Sequence, residues 1–238
     1  MKVTEWNIWM LLGLIAVVVA GRYLFETLLS RSLKAIGVAS RSTRFFIMCI
    51  IMIVFNIIVL LLFGLLSADL VALANMERGL IFVAVGFVVA LLVSLLSYFA
   101  IKSGYGEGYG EMIGKSPLEQ VFSVVTYLVL VGLAEDLFFV GFAQNLLVER
   151  MGWGSIVIYV ALFPLYHFAN VIRGVEKKKE FLGTLPVRLL VATLLAVSFY
   201  STRSLIYGIV IHNAVDTLTY IALVLGVKQM RESTEPAE

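Results

Sequence analysis

Seven apolar runs divide this sequence, at about 6–29, 45–66, 79–101, 120–148, 153–172, 183–201 and 204–226. No other feature constrains the fold as tightly. A run of roughly 20 apolar residues in lipid must satisfy its own backbone N–H and C=O groups, which a helix does and an isolated strand does not. The expectation is an all-α, polytopic integral membrane protein of about seven transmembrane helices. Six or eight spans also fit, because 67–78 is semi-polar and the first run contains Arg22 and Glu26. Composition agrees: 61% of the 238 residues are hydrophobic and 14% charged, where a soluble domain has about half and a quarter.

The runs read as one transmembrane domain over 1–226, with a polar tail over 227–238 that is expected to be disordered from Lys228. Lys2 and the apolar stretch after it loosely resemble a signal peptide. Apolar sequence resumes at Tyr23–Leu29, which favours a first membrane helix. Basic residues set the orientation. Placing the loops with Arg31, Lys34, Arg41 and Arg44, and with Arg173 and Lys177–Lys179, on the inside puts twelve Lys and Arg there against four outside. The N-terminus is then expected outside and the C-terminus in the cytoplasm, as in a prokaryotic cell membrane. A tandem GYGE repeat at 104–107 and 108–111 reads as an interfacial linker, with a mobile flap as the alternative. The single cysteine, Cys49, lies in an apolar run and offers neither a disulfide nor a cysteine metal site. No nucleic-acid partner is expected.

Polar residues inside the runs carry the functional signal, because an ionised side chain at mid-membrane depth costs about 2.5–3.5 kcal/mol on insertion scales. Glu135 and Asp136 are the only charges between Val121 and Val148, and both histidines of the chain, His167 and His212, lie inside spans. In FPLYH, Phe163 and His167 are four apart on one helix face, with Pro164 expected to kink the helix beside them. In HNAVD, His212 and Asp216 share a face in the same way. Asn56, Asn145 and Asn213 read as interhelical hydrogen bonders. Arg22 and Glu26 read as a pair, or as snorkelling side chains, at the inner boundary.

Converged on one pocket, these residues make an acid–base site. Two neighbouring carboxylates in low dielectric do not both ionise readily, and one poised near neutrality is suited to deprotonating water. One histidine can share that water. The other can donate to a developing oxyanion, with Asp216 fixing its tautomer. No G-x-S-x-G elbow and no H-E-x-x-H pair is present, so a covalent serine and a helical zinc motif are not indicated.

EDLFFV at 135–140, FPLYH at 163–167 and HNAVD at 212–216 resemble, in order, the EExxxR, FxxxH and HxxxN/D motifs of the CAAX protease and bacteriocin-processing enzyme family. That family of intramembrane endopeptidases includes the prenyl-protein CAAX endopeptidase. The resemblance covers roughly 120–226. It implies a helical membrane fold with a polar cavity reachable from the cytosol, and a peptide or lipid-modified protein as substrate. By position it makes Glu135 the general base with His167, puts His212 and Asp216 on the oxyanion side, and makes Asp136 the second acid of the pair. No cofactor is implied. The family arginine falls at Val140, so the acids are expected to share a proton or to use another cation, with Arg188 a candidate.

Two other classes of function remain open on sequence. One is a catalytically degenerate relative acting as a membrane binding or scaffold protein, motivated by Val140. The other is a divalent-metal site or transporter, with His167, His212, Glu135 and Asp216 as ligands to a metal such as zinc.

Overall fold

The computed structural model describes residues 6–38, 40–102, 113, 116–173 and 176–234. The GYGE repeat lies outside the described residues. Among those described, seven helices are long and apolar enough to cross a membrane. We number them α1 (Ile8–Ala35), α2 (Arg41–Leu62), α3 (Met76–Lys102), α4 (Pro117–Met151), α5 (Gly154–Ile172), α6 (Lys178–Thr202) and α7 (Leu205–Thr234). The semi-polar stretch at 67–78 holds a single 3₁₀ turn, Asp69–Val71, rather than an eighth crossing. The last helix does not stop at Lys228 as expected but continues to Thr234. Its end is tied to α3, where the Tyr98 hydroxyl donates to Gln229.

Local chemistry starts and stops these helices. The side chains of Asn7, Ser40 and Ser116 cap the free N–H groups at the starts of α1, α2 and α4, and Pro117 takes the first position of α4. Pro164 sits inside α5, and the regular helix breaks at Phe168, directly after His167. Close helix packing rests on small residues, as lipid exposure provides no hydrophobic drive between helices. On α3, Gly79 faces the Tyr207 ring, and a side-chain carbon on Gly86 would lie 2.6 Å from Ile211 of α7.

At the centre stands α4. Within its most apolar window 56% of residues are buried, against 17–44% in the other six. Phe138, Phe139, Phe142 and Leu147 of α4 are fully enclosed with Leu195 of α6 and with Leu205 and Ile211 of α7. The outer helices turn residues such as Leu92, Leu96 and Phe99 outward, as lipid contact requires. α4 is not a uniform helix: two π-helical turns, Thr126–Leu130 and Phe139–Gln144, flank its segment Val131–Phe138. Such turns need other partners for displaced backbone groups, and they recur at functional sites. At the first turn Asn213 of α7 supplies both kinds, accepting from Gly132 N–H at 2.8 Å and donating to the Val129 carbonyl at 3.2 Å. At the second, Gln144 donates to the Ala196 carbonyl of α6 at 2.8 Å. The segment that carries Glu135 and Asp136 is therefore clamped at both ends.

Candidate functional site

The five acidic and histidine side chains singled out from three separate spans meet at one place. Glu135 Oε2 lies 3.7 Å from His167 Nε2 and 3.7 Å from His212 Nε2. His212 Nε2 is also 3.7 Å from Asp216 Oδ2, one turn along α7. On the other edge of its ring, His212 Nδ1–H donates to Asp136 Oδ1 at 3.0 Å. Phe163 stands against both imidazoles, with ring centroids 4.6 Å from His167 and 5.6 Å from His212. The i, i+4 spacing of each motif places its residues side by side, and the clamped central segment of α4 carries the acids to them.

The two acids differ sharply in surroundings. Asp136 is completely buried, whereas the side chains of Glu135, His167 and Asp216 keep 19%, 20% and 26% exposure. Asp136 thus serves His212, while the other three reach a cavity of about 1210 Å³. Of the Glu135 oxygens, Oε2 is buried and makes no hydrogen bond within the protein. Such an atom is costly unless something else partners it.

The histidine geometry fixes which nitrogens are available. His167 Nδ1–H donates to the Phe163 carbonyl at 2.9 Å, and a carbonyl can only accept, so Nε2 is the nitrogen left facing Glu135. For His212 the partner of Nδ1 is Asp136, across 76 residues of sequence, and not Asp216 as expected. Asp216 lies instead beside Nε2, the nitrogen that points at Glu135.

The cations are arranged differently from the expectation. Arg188 lines the same cavity, but its Nη2 is held by both oxygens of Glu176, at 2.9 and 3.0 Å. It therefore neutralises Glu176 and makes no ion pair with Glu135 or Asp136. Val140 is 2% exposed within the apolar core. The guanidinium that approaches the acid-bearing segment belongs to Arg22 of α1, which is buried and paired with Glu26 rather than snorkelling. The Asn56 and Asn213 side chains do hydrogen-bond between helices, each to the backbone of α4. Among the described residues, no group of three or more His, Cys, Asp and Glu is arranged to hold a metal ion.

The lining of the cavity extends to the ends of α1, α2, α5 and α6 that carry Arg31, Arg41, Arg173 and Glu180. Those ends belong to the basic side of the molecule.

Seven membrane-crossing helices around a buried acid–histidine cluster define a polytopic helical membrane protein with an intramembrane polar centre. Residues 117–218, the stretch that contributes all five of these side chains, match the family described as type II CAAX prenyl endopeptidase Rce1-like. The match bears out the resemblance carried by the three motifs, and at the level of the family it supports a CAAX-type intramembrane endopeptidase. No curated protein and no solved structure matches the chain.

Proposed function

We propose that this protein is an intramembrane endopeptidase that hydrolyses a peptide bond with a water activated by Glu135 and His167. The observation that carries this reading is the unpartnered Glu135 Oε2 with both imidazole Nε2 atoms 3.7 Å away. Edges of that length let one water oxygen sit at hydrogen-bond distance, about 2.9 Å, from the carboxylate and an imidazole together. Glu135 takes the proton as the water oxygen bonds to the peptide carbonyl carbon. The oxyanion so formed accepts a hydrogen bond from the Nε2–H of a doubly protonated His212, which lies between Asp136 and Asp216. Breakage of the C–N bond returns the proton, through Glu135 or His167, to the leaving amine. Roles for all five residues follow: Glu135 and His167 at the water, His212 at the oxyanion, and Asp136 and Asp216 holding His212.

The family match and the cavity at the basic ends of the helices support a prenylated or otherwise lipid-modified peptide, entering from the cytoplasmic side with the N-terminus outside. The test is incubation of the purified protein, prepared without chelators, with a fluorogenic prenylated peptide and a small peptide library, with products read by mass. A single new peptide C-terminus, absent with His167→Ala, is the expected result. Val140 favours a second reading, a relative that binds such peptides without cutting them. Saturable binding with no product for any peptide would replace the first reading with the second.

A further inference from the structure

The first span carries none of the motifs, yet it inserts a guanidinium that touches the backbone beside the proposed water site. Arg22 is 2% exposed. Its Nε donates to Glu26 Oε1 at 3.0 Å, and its Nη1 reaches Asn56 Oδ1 at 3.4 Å and the Ala134 carbonyl at 3.3 Å. Asn56 of α2 donates to the same carbonyl at 2.5 Å. The guanidinium carbon stands 4.4 Å from the centre of the Phe138 ring and 5.4 Å from those of Phe139 and Tyr166. Arg173, at the end of α5, closes the group by reaching Glu26 Oε2 at 3.5 Å.

Two of these contacts are adjacent in sequence to the reacting groups. Ala134 directly precedes Glu135, and Tyr166 directly precedes His167. One planar cation thus bears on α4 and α5 at the two points from which the water-holding side chains project. A helix start, a cap or a lipid contact would not require this, and burying an arginine is expensive unless its charge and donors are matched. Glu26 matches the charge, and Asn56 and the Ala134 carbonyl match the donors. Arginine suits the position because its fork of fixed donors holds several partners in one plane while its face stacks on aromatic rings. Lysine offers a point charge and no such plane.

We infer that Arg22 is a positioning residue that sets the separation of Glu135 and His167, so that the motif-free first span is part of the catalytic apparatus. The catalytic part of this inference rests on the proposed function; the geometric part does not. A misplacement of about 1 Å in such a pair costs on the order of 10²-fold in rate. Arg22→Met is therefore expected to lower kcat by about 10²-fold with KM changed less than about twofold, and Arg22→Lys to recover part of the loss.

A second readout needs no activity. The chain has only two histidines, so ¹⁵N-histidine labelling yields two sets of imidazole signals, assigned by His167→Ala. The His167 signals are expected to move in Arg22→Met and to return toward wild type in Arg22→Lys, with helix content unchanged. If Arg22→Met does not fold, Asn56→Leu removes a donor from the same carbonyl and leaves the Arg22–Glu26 pair in place; a smaller shift is expected. His167 signals that stay put in the folded variant overturn the inference, whatever cleavage does. Moved signals in a protein that cleaves no peptide would uphold the positioning and overturn the proposed function.

Discussion

Glu135→Gln removes peptide cleavage while leaving the protein folded. Glutamine keeps the size of the side chain and can still hydrogen-bond to water, but it cannot take a proton from it. General-base catalysis of this kind contributes roughly 10²–10⁴-fold, so single-turnover cleavage should fall by at least about 10²-fold. The fold should survive because Glu135 is the partly exposed acid, at 19%, and its Oε2 makes no hydrogen bond within the protein. Removing its charge weakens only the 3.7 Å approaches to His167 and His212, which are too long to be hydrogen bonds. Thermal unfolding in detergent beside the rate measurement separates loss of chemistry from loss of structure. A variant that cleaves within about twofold of wild type would assign the base elsewhere.

Asp136→Asn should produce the second large effect by another route. Asp136 is completely buried and its Oδ1 accepts the Nδ1–H of His212 at 3.0 Å. As the acceptor of Nδ1–H, the Asp136 oxygen fixes the orientation of the His212 ring and keeps a proton on Nδ1. An amide lacks the charge, and it can turn its NH₂ toward Nδ1 and leave the imidazole in the wrong tautomer. Loss of such an orienting partner at a catalytic imidazole costs on the order of 10- to 100-fold, by analogy with the outer partners of metal-bound histidines. The loss should fall on kcat, since Asp136 does not line the cavity. ¹⁵N-histidine spectra supply the direct check, through an altered pattern for His212 with His167 unchanged. Asp216→Asn should be milder, because Asp216 lies 3.7 Å from His212 Nε2 with a side chain 26% exposed. Equal rates for Asp136→Asn and wild type would return the orienting role to Asp216, as the HNAVD spacing alone suggests.

The parts of the molecule that were legible in its sequence are those set by short-range periodicity. Long apolar runs announce seven helices because lipid leaves the backbone no other partner. Spacing of four puts Phe163 beside His167 and His212 beside Asp216 because helical geometry does. The pairing of Asp136 with His212 joins residues 76 positions apart, and no local pattern encodes it. Spacing pointed to Asp216 because it was the only acid in the apolar run 204–226 that carries His212. The π-helical turns of α4 were equally hidden, since one residue inserted per turn leaves hydropathy unchanged. Their trace was Asn213, legible as an interhelical donor but not as the residue that holds Gly132 and Val129.

Arg22 was visible as an oddity, a cation within an apolar run. Its pairing with Glu26 four residues on was legible, but its reach to α4 and α5 depends on packing between helices. Arg188 attracted attention for the same reason and proved to be engaged by Glu176, a residue twelve positions earlier in the loop before α6. Extension of α7 to Thr234 was missed because its last turns are polar, a pattern that fits a disordered tail as well as a helix leaving the membrane.

In the proposed reaction, water held by Glu135 and His167 attacks the peptide directly, with no covalent intermediate on the protein. A single turnover of a prenylated peptide in H₂¹⁸O, with enzyme in excess, tests it by the mass of the new carboxyl terminus and of the acid-quenched protein. Direct attack predicts one ¹⁸O in every product carboxylate and no change in protein mass. A peptide acyl adduct on the protein, or a first-turnover product without the label, would contradict it.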